Sequence, residues 1–282
     1  MNIITEPTVH LISYQVVDDD ELNNFLLAHN VGNWHSDTDI DAERLAEIAG
    51  RVCYMSFAKP RPGGNKAYID HILEVGHGSV LEHAVFSLLI TGVSRSLTHE
   101  LVRHRAGFAY SQLSQRFVDE SDCKFVEPQV IAEDPELHQI WLEAVASAQE
   151  SYKKLSDGMA AKLAQSKPKE IFCKPVKPAD GMHVKQSDGF AAKIIDTTLH
   201  RKRAREAARS VLPNCTETKI VVTGNARALR HFIEMRGSIH ADAEIRRLAV
   251  AVLDKLRDAA PNLFGDYTVD ENGAIETQYR KV

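Results

Sequence analysis

An apolar strand over residues 84–91 leads to a helix over Ser94–His104, and the helix end runs into RHRAGFAYSQLSQR at 103–116. Leu97 and Leu101 share a helix face at i, i+4, and Gly107 is the expected stop. A fold for this chain must therefore deliver three arginines, a histidine, a tyrosine, two serines and two glutamines from a helix end into a loop. Arginine forks match phosphate oxygens two at a time, hydroxyls and amides add uncharged donors, and Arg or Tyr planes stack on flat heterocycles. No acidic partner follows until Asp119, so the stretch calls for an outside acceptor, which phosphate supplies. A nucleotide offers both the anion and the ring.

Around that cluster the pattern alternates between strands and helices. Residues 8–17 (TVHLISYQVV) read as a strand, followed by an acidic turn, DDDEL, and a loop around Gly32, Asn33 and Trp34. Asp41–Val52 has helical spacing, KPRPGGNK at 59–66 is a loop, and Ala67–Val75 resumes a helix closed by Gly76. A long helix at 135–163 precedes the Lys- and Pro-rich KPKEIFCKPVKPADG, which reads as an exposed excursion. Thr197–Val211 returns to helix with Arg205 and Arg209 stacked, and Pro213 prevents its continuation. KIVVTG at 219–224 is a strand that leads into a helix from Asn225 to Arg236, broken by Gly237. A last amphipathic helix follows, with Ile245, Leu248, Val252 and Leu256 on its apolar face. No repeat or interdomain linker appears, so residues 1–282 are expected to form one domain with a surface insertion near 165–200.

Composition narrows the function. The net charge, 34 − 39 = −5, argues against a general nucleic-acid binder, so any basic site is local. Cys53, Cys123, Cys173 and Cys215 show no CxxC pair or metal-ligand spacing, which suits reduced thiols in a cytoplasm. The N-terminus lacks a basic leader, and the longest apolar stretch, Ala84–Val93, is about half the ~20 residues a membrane span needs.

Each candidate has a plainer alternative. Arg103, His104 and Arg105 would also suit a solvated helix end, where cations meet the dipole. Ser114 lies in no nucleophile elbow, which makes it a binding hydroxyl. His77 and His83 are six positions apart, a poor spacing for metal, and Glu82 suits either a ligand or a structural hydrogen bond. Asn225 and Arg236 are eleven residues apart and fall within roughly 20° of each other around a helix, close enough in angle to serve one ligand. The basic run RKRAREAAR at 201–209 is interrupted by Glu206 and reads as a solvated face rather than an RNA patch.

RHR followed by SQLSQR resembles the signature of the flavin-dependent thymidylate synthases. GHGSVLEH at 76–83 and the run from Arg209 through NARALRHFIEMRGSIH at 225–240 agree with it in order. The similarity covers roughly 45–118 and 203–258. The resemblance implies an α/β fold of the α+β type, a central sheet with flanking helices in the form peculiar to thymidylate synthase complementing proteins. It further implies a homotetramer with active sites between subunits, and it implies FAD, dUMP, methylenetetrahydrofolate and NADPH. Under it, Ser79, Glu82, Arg103, His104, Arg105, Gln112, Asn225, Arg227, His231 and His240 would hold flavin. Glu100, Arg103, Gln112, Leu113, Ser114, Gln115, Arg116, Arg209 and Arg236 would hold dUMP, with Arg236 as the catalytic residue that polarises uracil. No metal is implied, and the remaining reading is a nucleotide-binding regulator without turnover.

The physical reading fits that chemistry. Uracil C5 is a weak nucleophile, and a guanidinium beside the ring stabilises the negative charge that develops on it. The sequence also departs from the family pattern. Eight residues separate RHR from Ser114 where seven are common. Glu100 stands where many members carry glutamine, Cys53 where serine is frequent, and His231 where asparagine is frequent.

Overall fold

The computed structural model describes residues 2–13, 15–59, 61–165 and 190–282, the side chains of 190–198 excepted. The expected insertion, with Cys173, lies largely outside the described residues. What is described groups into two compact units, one of residues 4–112, 126–128 and 217–282 and one of 1–3, 113–125 and 129–216.

The larger unit is built on a sheet of β1 (Thr8–Ser13), β2 (Val85–Ser94), β3 (Phe108–Gln112) and β4 (Glu217–Asn225), in the order β1-β2-β4-β3 with every pair antiparallel. Period-2 alternation sets the faces. Phe86, Leu88 and Ile90 of β2 and Ile220 and Val222 of β4 are buried, while Ser87 and Thr223 hydrogen-bond on the other side at 2.9 Å. β2 runs beyond the expected end at residue 91 because Gly92, at φ +70°, carries a register shift, and a Cβ there would sit 2.7 Å from the Glu6 carbonyl. The helix Ala243–Ala259 buries Ile245, Leu248, Ala249, Val252, Leu253 and Leu256, the stripe expected from its 3.6-residue period, and packs against β1.

Three local expectations change. The acidic DDDEL is the start of a helix, Asp19–Ala28, rather than a turn: Asp18 accepts the Glu21 N–H at 3.1 Å, and three acids in the first turn meet the positive end of the dipole. The helix expected over Ser94–His104 spans Arg95–Leu101, with the Ser94 hydroxyl capping Leu97 N at 3.0 Å. The stretch after Gly107 is strand β3 rather than loop. Its inward positions, Phe108, Tyr110 and Gln112, alternate with exposed Ala109 and Ser111, but a tyrosine and a glutamine facing inward conceal the pattern.

The smaller unit contains the helices Pro135–Gln165 and Phe190–Ala208, which pack on each other, followed by a turn of 3-10 helix at Arg209–Val211. Cys123, Phe125 and Val145 form its core with Trp141, Leu212 and Cys215 against them. Tyr152 is fully buried, and its hydroxyl accepts the Glu120 N–H at 3.2 Å.

Candidate active site

In the larger unit the RHR segment is a turn held from both sides. Arg103 N and His104 N donate to the carbonyls of Glu100 and Leu101, each at 3.1 Å, so the chain coils once more after the helix before Gly107 reverses it at φ +74°. A Cβ on Gly107 would lie 2.7 Å from Asn225 Nδ2 and 2.8 Å from Ala228 Cβ, so this close approach needs glycine. The Tyr110 hydroxyl fastens the turn to β3, reaching the Leu101 carbonyl at 3.0 Å and the His104 carbonyl at 2.6 Å, and burial pushes its pKa up to about 12. The turn thus presents Arg103 and Arg105 outward while His104 points to the interior.

Arg236, at the last position of the helix Ala226–Arg236, meets that interior side. Its Nε donates to His104 Nε2 at 3.0 Å, and its Nη1 donates to Glu100 Oε2 at 2.7 Å. A histidine nitrogen that accepts this bond must be unprotonated, which places the ring hydrogen on Nδ1. The surroundings agree. Burial, then the Arg236 cation, then His231 depress the His104 pKa to about 4, so the ring is neutral at pH 7. Phe232 packs edge-on against the ring at 5.4 Å between centroids, and His231 lies 6.1 Å away.

Beside Arg236 a cleft of about 540 Å³ opens between residues 234–241 and the segment 274–280. Arg236, Ser238, His240, Thr277 and Arg280 give it polar groups, and Met235, Ile239 and Ile275 give it apolar wall. This size lies within the range of small-molecule sites.

The other expected residues of this unit are placed less uniformly. Glu82, in the 3-10 turn Gly78–His83, pairs with Arg227 Nη1 at 2.7 Å, with both side chains near half exposure, and Ser79 beside it is exposed. Gln112 donates from Nε2 to the hydroxyls of Thr98 at 3.0 Å and Thr218 at 3.2 Å, which fixes the orientation of its amide. Asn225 is the cap of the helix rather than part of it. Its oxygen accepts Ala228 N at 2.8 Å, and it stands at the opposite end from Arg236, about 16 Å away at 1.5 Å per residue. The expectation that these two serve one ligand from a shared face is therefore not met by the helix geometry.

In the smaller unit Arg116 and the residues that follow it are tied to the helix Phe190–Ala208. Arg116 Nε bonds Glu206 at 3.1 Å, and Arg205 reaches the Phe117 carbonyl at 2.7 Å and Asp119 at 3.0 Å. Lys202 lies over the Phe117 ring at 4.7 Å. Part of the basic run at 201–209 thus straps the segment after Ser114 instead of forming a free surface. Gln115 is 7% exposed and its Nε2 has no acceptor among the described residues, a buried donor that calls for one. Leu113 and Ser114 are half-buried and Arg209 is exposed.

Sequence reasoning did not name Thr98 and Thr218, which orient Gln112, nor Thr277 and Arg280 on the cleft wall, and it counted Tyr110 as a stacking ring where its hydroxyl clamps the turn. Only Tyr110 carried a readable signal, the two-residue spacing Phe108, Tyr110, Gln112. Among the described residues no group of His, Cys, Asp and Glu is placed to hold a metal, and no helix is long and apolar enough to cross a membrane.

The sequence profile of the thymidylate synthase complementing protein family matches residues 36–262. The flavin-dependent thymidylate synthase of Mycolicibacterium vanbaalenii is 49% identical over 238 residues, covering 84% of this chain and 83% of that protein. The chain belongs to this family. A second relative, the flavin-dependent thymidylate synthase of Mycobacteroides abscessus, is 47% identical over 239 residues, 84% of each chain. Among solved structures, the UMP/dUMP methylase PolB from Streptomyces cacaoi, bound with 5-Br dUMP, aligns at a TM-score of 0.61 over 94% of this chain and 96% of that one. At 17% identity that likeness speaks for the shared mixed helix-and-sheet fold.

Proposed function

We propose that this flavin-dependent thymidylate synthase family member converts dUMP to dTMP, taking the one-carbon unit from methylenetetrahydrofolate and the reducing equivalents from NADPH by way of FAD. The observation that carries the reading is the 49% identity over 84% of the chain to an enzyme of that name. The side chains suit the cofactor. Arg103 and Arg105 are exposed on a fastened turn, and neither guanidinium makes an ion pair with a described residue, which fits the pyrophosphate of FAD. Ser79, Glu82, Asn225, Arg227, His231 and His240 complete the proposed flavin contacts. Reduced FAD supplies the hydride that completes the methyl group.

This chain's own residues then have two tasks. Arg116, Arg209, Ser114 and Gln115 hold the nucleotide, the Gln115 donor that is unmatched among the described residues and the arginine side chains suiting phosphate and carbonyl oxygens. Arg236 stabilises the charge that develops on uracil as C5 attacks the one-carbon unit, a fixed cation placed before the reaction begins. No side chain is required as nucleophile: burial pushes the Cys123 thiol up to about 12, far from an activated thiolate.

The proposed unit of function is a homotetramer with active sites between subunits, working in the cytoplasm as one domain. Met235 and Ile239, 53% and 50% exposed on the cleft wall, support the assembly as apolar surface that a second copy would cover. The thiols of Cys53 and Cys123 are unbridged, which suits a reducing compartment. The direct test supplies purified protein with dUMP, FAD, methylenetetrahydrofolate and NADPH and then omits each in turn. dTMP formation that needs all four is the expected result. Flavin-loaded protein that binds dUMP and forms none would instead be a nucleotide-binding regulator.

A further inference from the structure

Arg236 has three donor groups, and two are committed within the fold. Nε goes to His104 at 3.0 Å and Nη1 to Glu100 at 2.7 Å, while Nη2 has no partner among the described residues, on a side chain that lines the cleft. An unpaired arginine at a nucleotide site takes phosphate, because the dianion gains most from a full positive charge and a free fork. Here a carboxylate already occupies one prong of the fork and offsets the charge. The pair sits at a partly sheltered place, with side-chain exposures of 25% for Arg236 and 37% for Glu100, so the offset is not fully screened by water. What remains is the Nη2 amino group beside a near-neutral pair, which suits the carbonyl oxygen of a planar, uncharged ring better than a dianion.

We infer that Glu100 is the positioning residue for Arg236, holding Nη1 while His104 holds Nε, so that Nη2 is presented to the base of the nucleotide and not to its phosphate. The inference rests on the reading of Arg236 as the group that polarises uracil. It also gives the carboxylate at 100 a physical place: its charge is met by Arg236 and does not face the phosphate. The placement follows from the fold. Glu100 lies on the last turn of the helix Arg95–Leu101, His104 on the turn fastened by Tyr110, and Arg236 at the end of its own helix, so three separate elements fix one guanidinium.

The test compares Glu100→Ala, Glu100→Gln, Arg236→Ala and the Glu100→Ala/Arg236→Ala double variant as flavin-loaded enzymes. Each is read for dTMP formation at saturating dUMP, dUMP affinity and FAD content. Misplacing a reacting donor by about an ångström costs roughly 10²-fold, so Glu100→Ala is expected to slow turnover at saturating dUMP on that order with FAD content held. Glu100→Gln keeps an oxygen acceptor for Nη1 and is expected to recover most of the rate. The double variant is expected to be no slower than Arg236→Ala alone, since a residue acting through another adds nothing once that other is gone. Losses that multiply in the double variant, a Glu100→Gln enzyme as slow as Glu100→Ala, or an unimpaired Glu100→Ala would each overturn the inference. If Arg236→Ala turns over normally, the reading of Arg236 itself fails; if Arg236→Ala is inactive and Glu100→Ala is not, only the role of Glu100 fails.

Discussion

Arg51 and Arg236 are both paired with a glutamate in the larger unit, and the contrast between them separates a structural arginine from a working one. Arg51 is 3% exposed. Its Nε and Nη2 lie 2.8 and 2.7 Å from Glu47 Oε1, its Nη1 reaches the Ser56 carbonyl at 2.9 Å, and its plane lies over the rings of Trp34 and Tyr68. Glu47 in turn accepts from Ser36 at 2.9 Å and Asn65 at 2.8 Å. Next to it, buried Glu43 takes bonds from Thr38 and Asn262, and burial raises its pKa. Every edge of that guanidinium is spent on the fold. Arg236 is held on two sides but keeps its Nη2 amino group at a cleft. A buried charge with all partners supplied from within specifies a fold, and one with a partner withheld has a donor to spend on a ligand.

The comparison breaks most visibly at Arg51. Arg51→Ala leaves Glu47 charged and buried without its cation, an expected loss of about 3–5 kcal/mol in unfolding free energy. Urea denaturation reads it, and a midpoint equal to the parent protein would place the network outside the fold's energetics.

Acid sharpens the other side. His104 is held uncharged in the fold, with a pKa lowered to about 4 from the ordinary 6.5, so as pH falls the unfolded chain takes up the proton first. Stability from this site is complete above about 6.5 and is lost as pH falls towards about 4. Arg236 and His231 face the ring, and Glu100 faces Arg236. An NMR titration of the His104 ring is expected to show no protonation between pH 7 and 5; a midpoint near 6.5 would mean that Arg236 does not bond Nε2. The smallest effect belongs to the other end of the Arg236 helix. Asn225→Ala removes a cap and is expected to cost about 1 kcal/mol. A much larger loss of flavin than of stability would show Asn225 working directly as a ligand group.

Much of this was legible in the sequence because its signals are local. The stripe Ile245, Leu248, Val252 and Leu256, the strand at 219–224 and the donor-rich 103–116 segment declare themselves by period or composition. The helix expected over Asp41–Val52 is present as Asp41–Tyr54, but nothing in the sequence showed that its stripe Glu43, Glu47, Arg51 faces inward, since a polar stripe at i, i+4 spacing ordinarily marks the wet side. Whether it is wet depends on Asn65 and Asn262, which are distant in sequence. The site divides in the same way. Arg236 and His104 were named from motif blocks, but the bonds of Arg236 to His104 and to Glu100 join positions more than 130 residues apart, where no periodicity reaches. Asn225 was misjudged because angle around a helix says nothing of distance along it.

The central claim is that Arg236 works on the base while Arg51 holds the fold. The most direct measurement is tritium release from dUMP labelled at C5 by flavin-loaded Arg236→Ala at saturating dUMP. Losing one fixed donor to a developing charge costs about 10²–10³-fold, and a fall of that size with unchanged FAD content and urea midpoint is the predicted result. Release at the parent rate, or a fall matched by a loss of stability like that of Arg51→Ala, would contradict it.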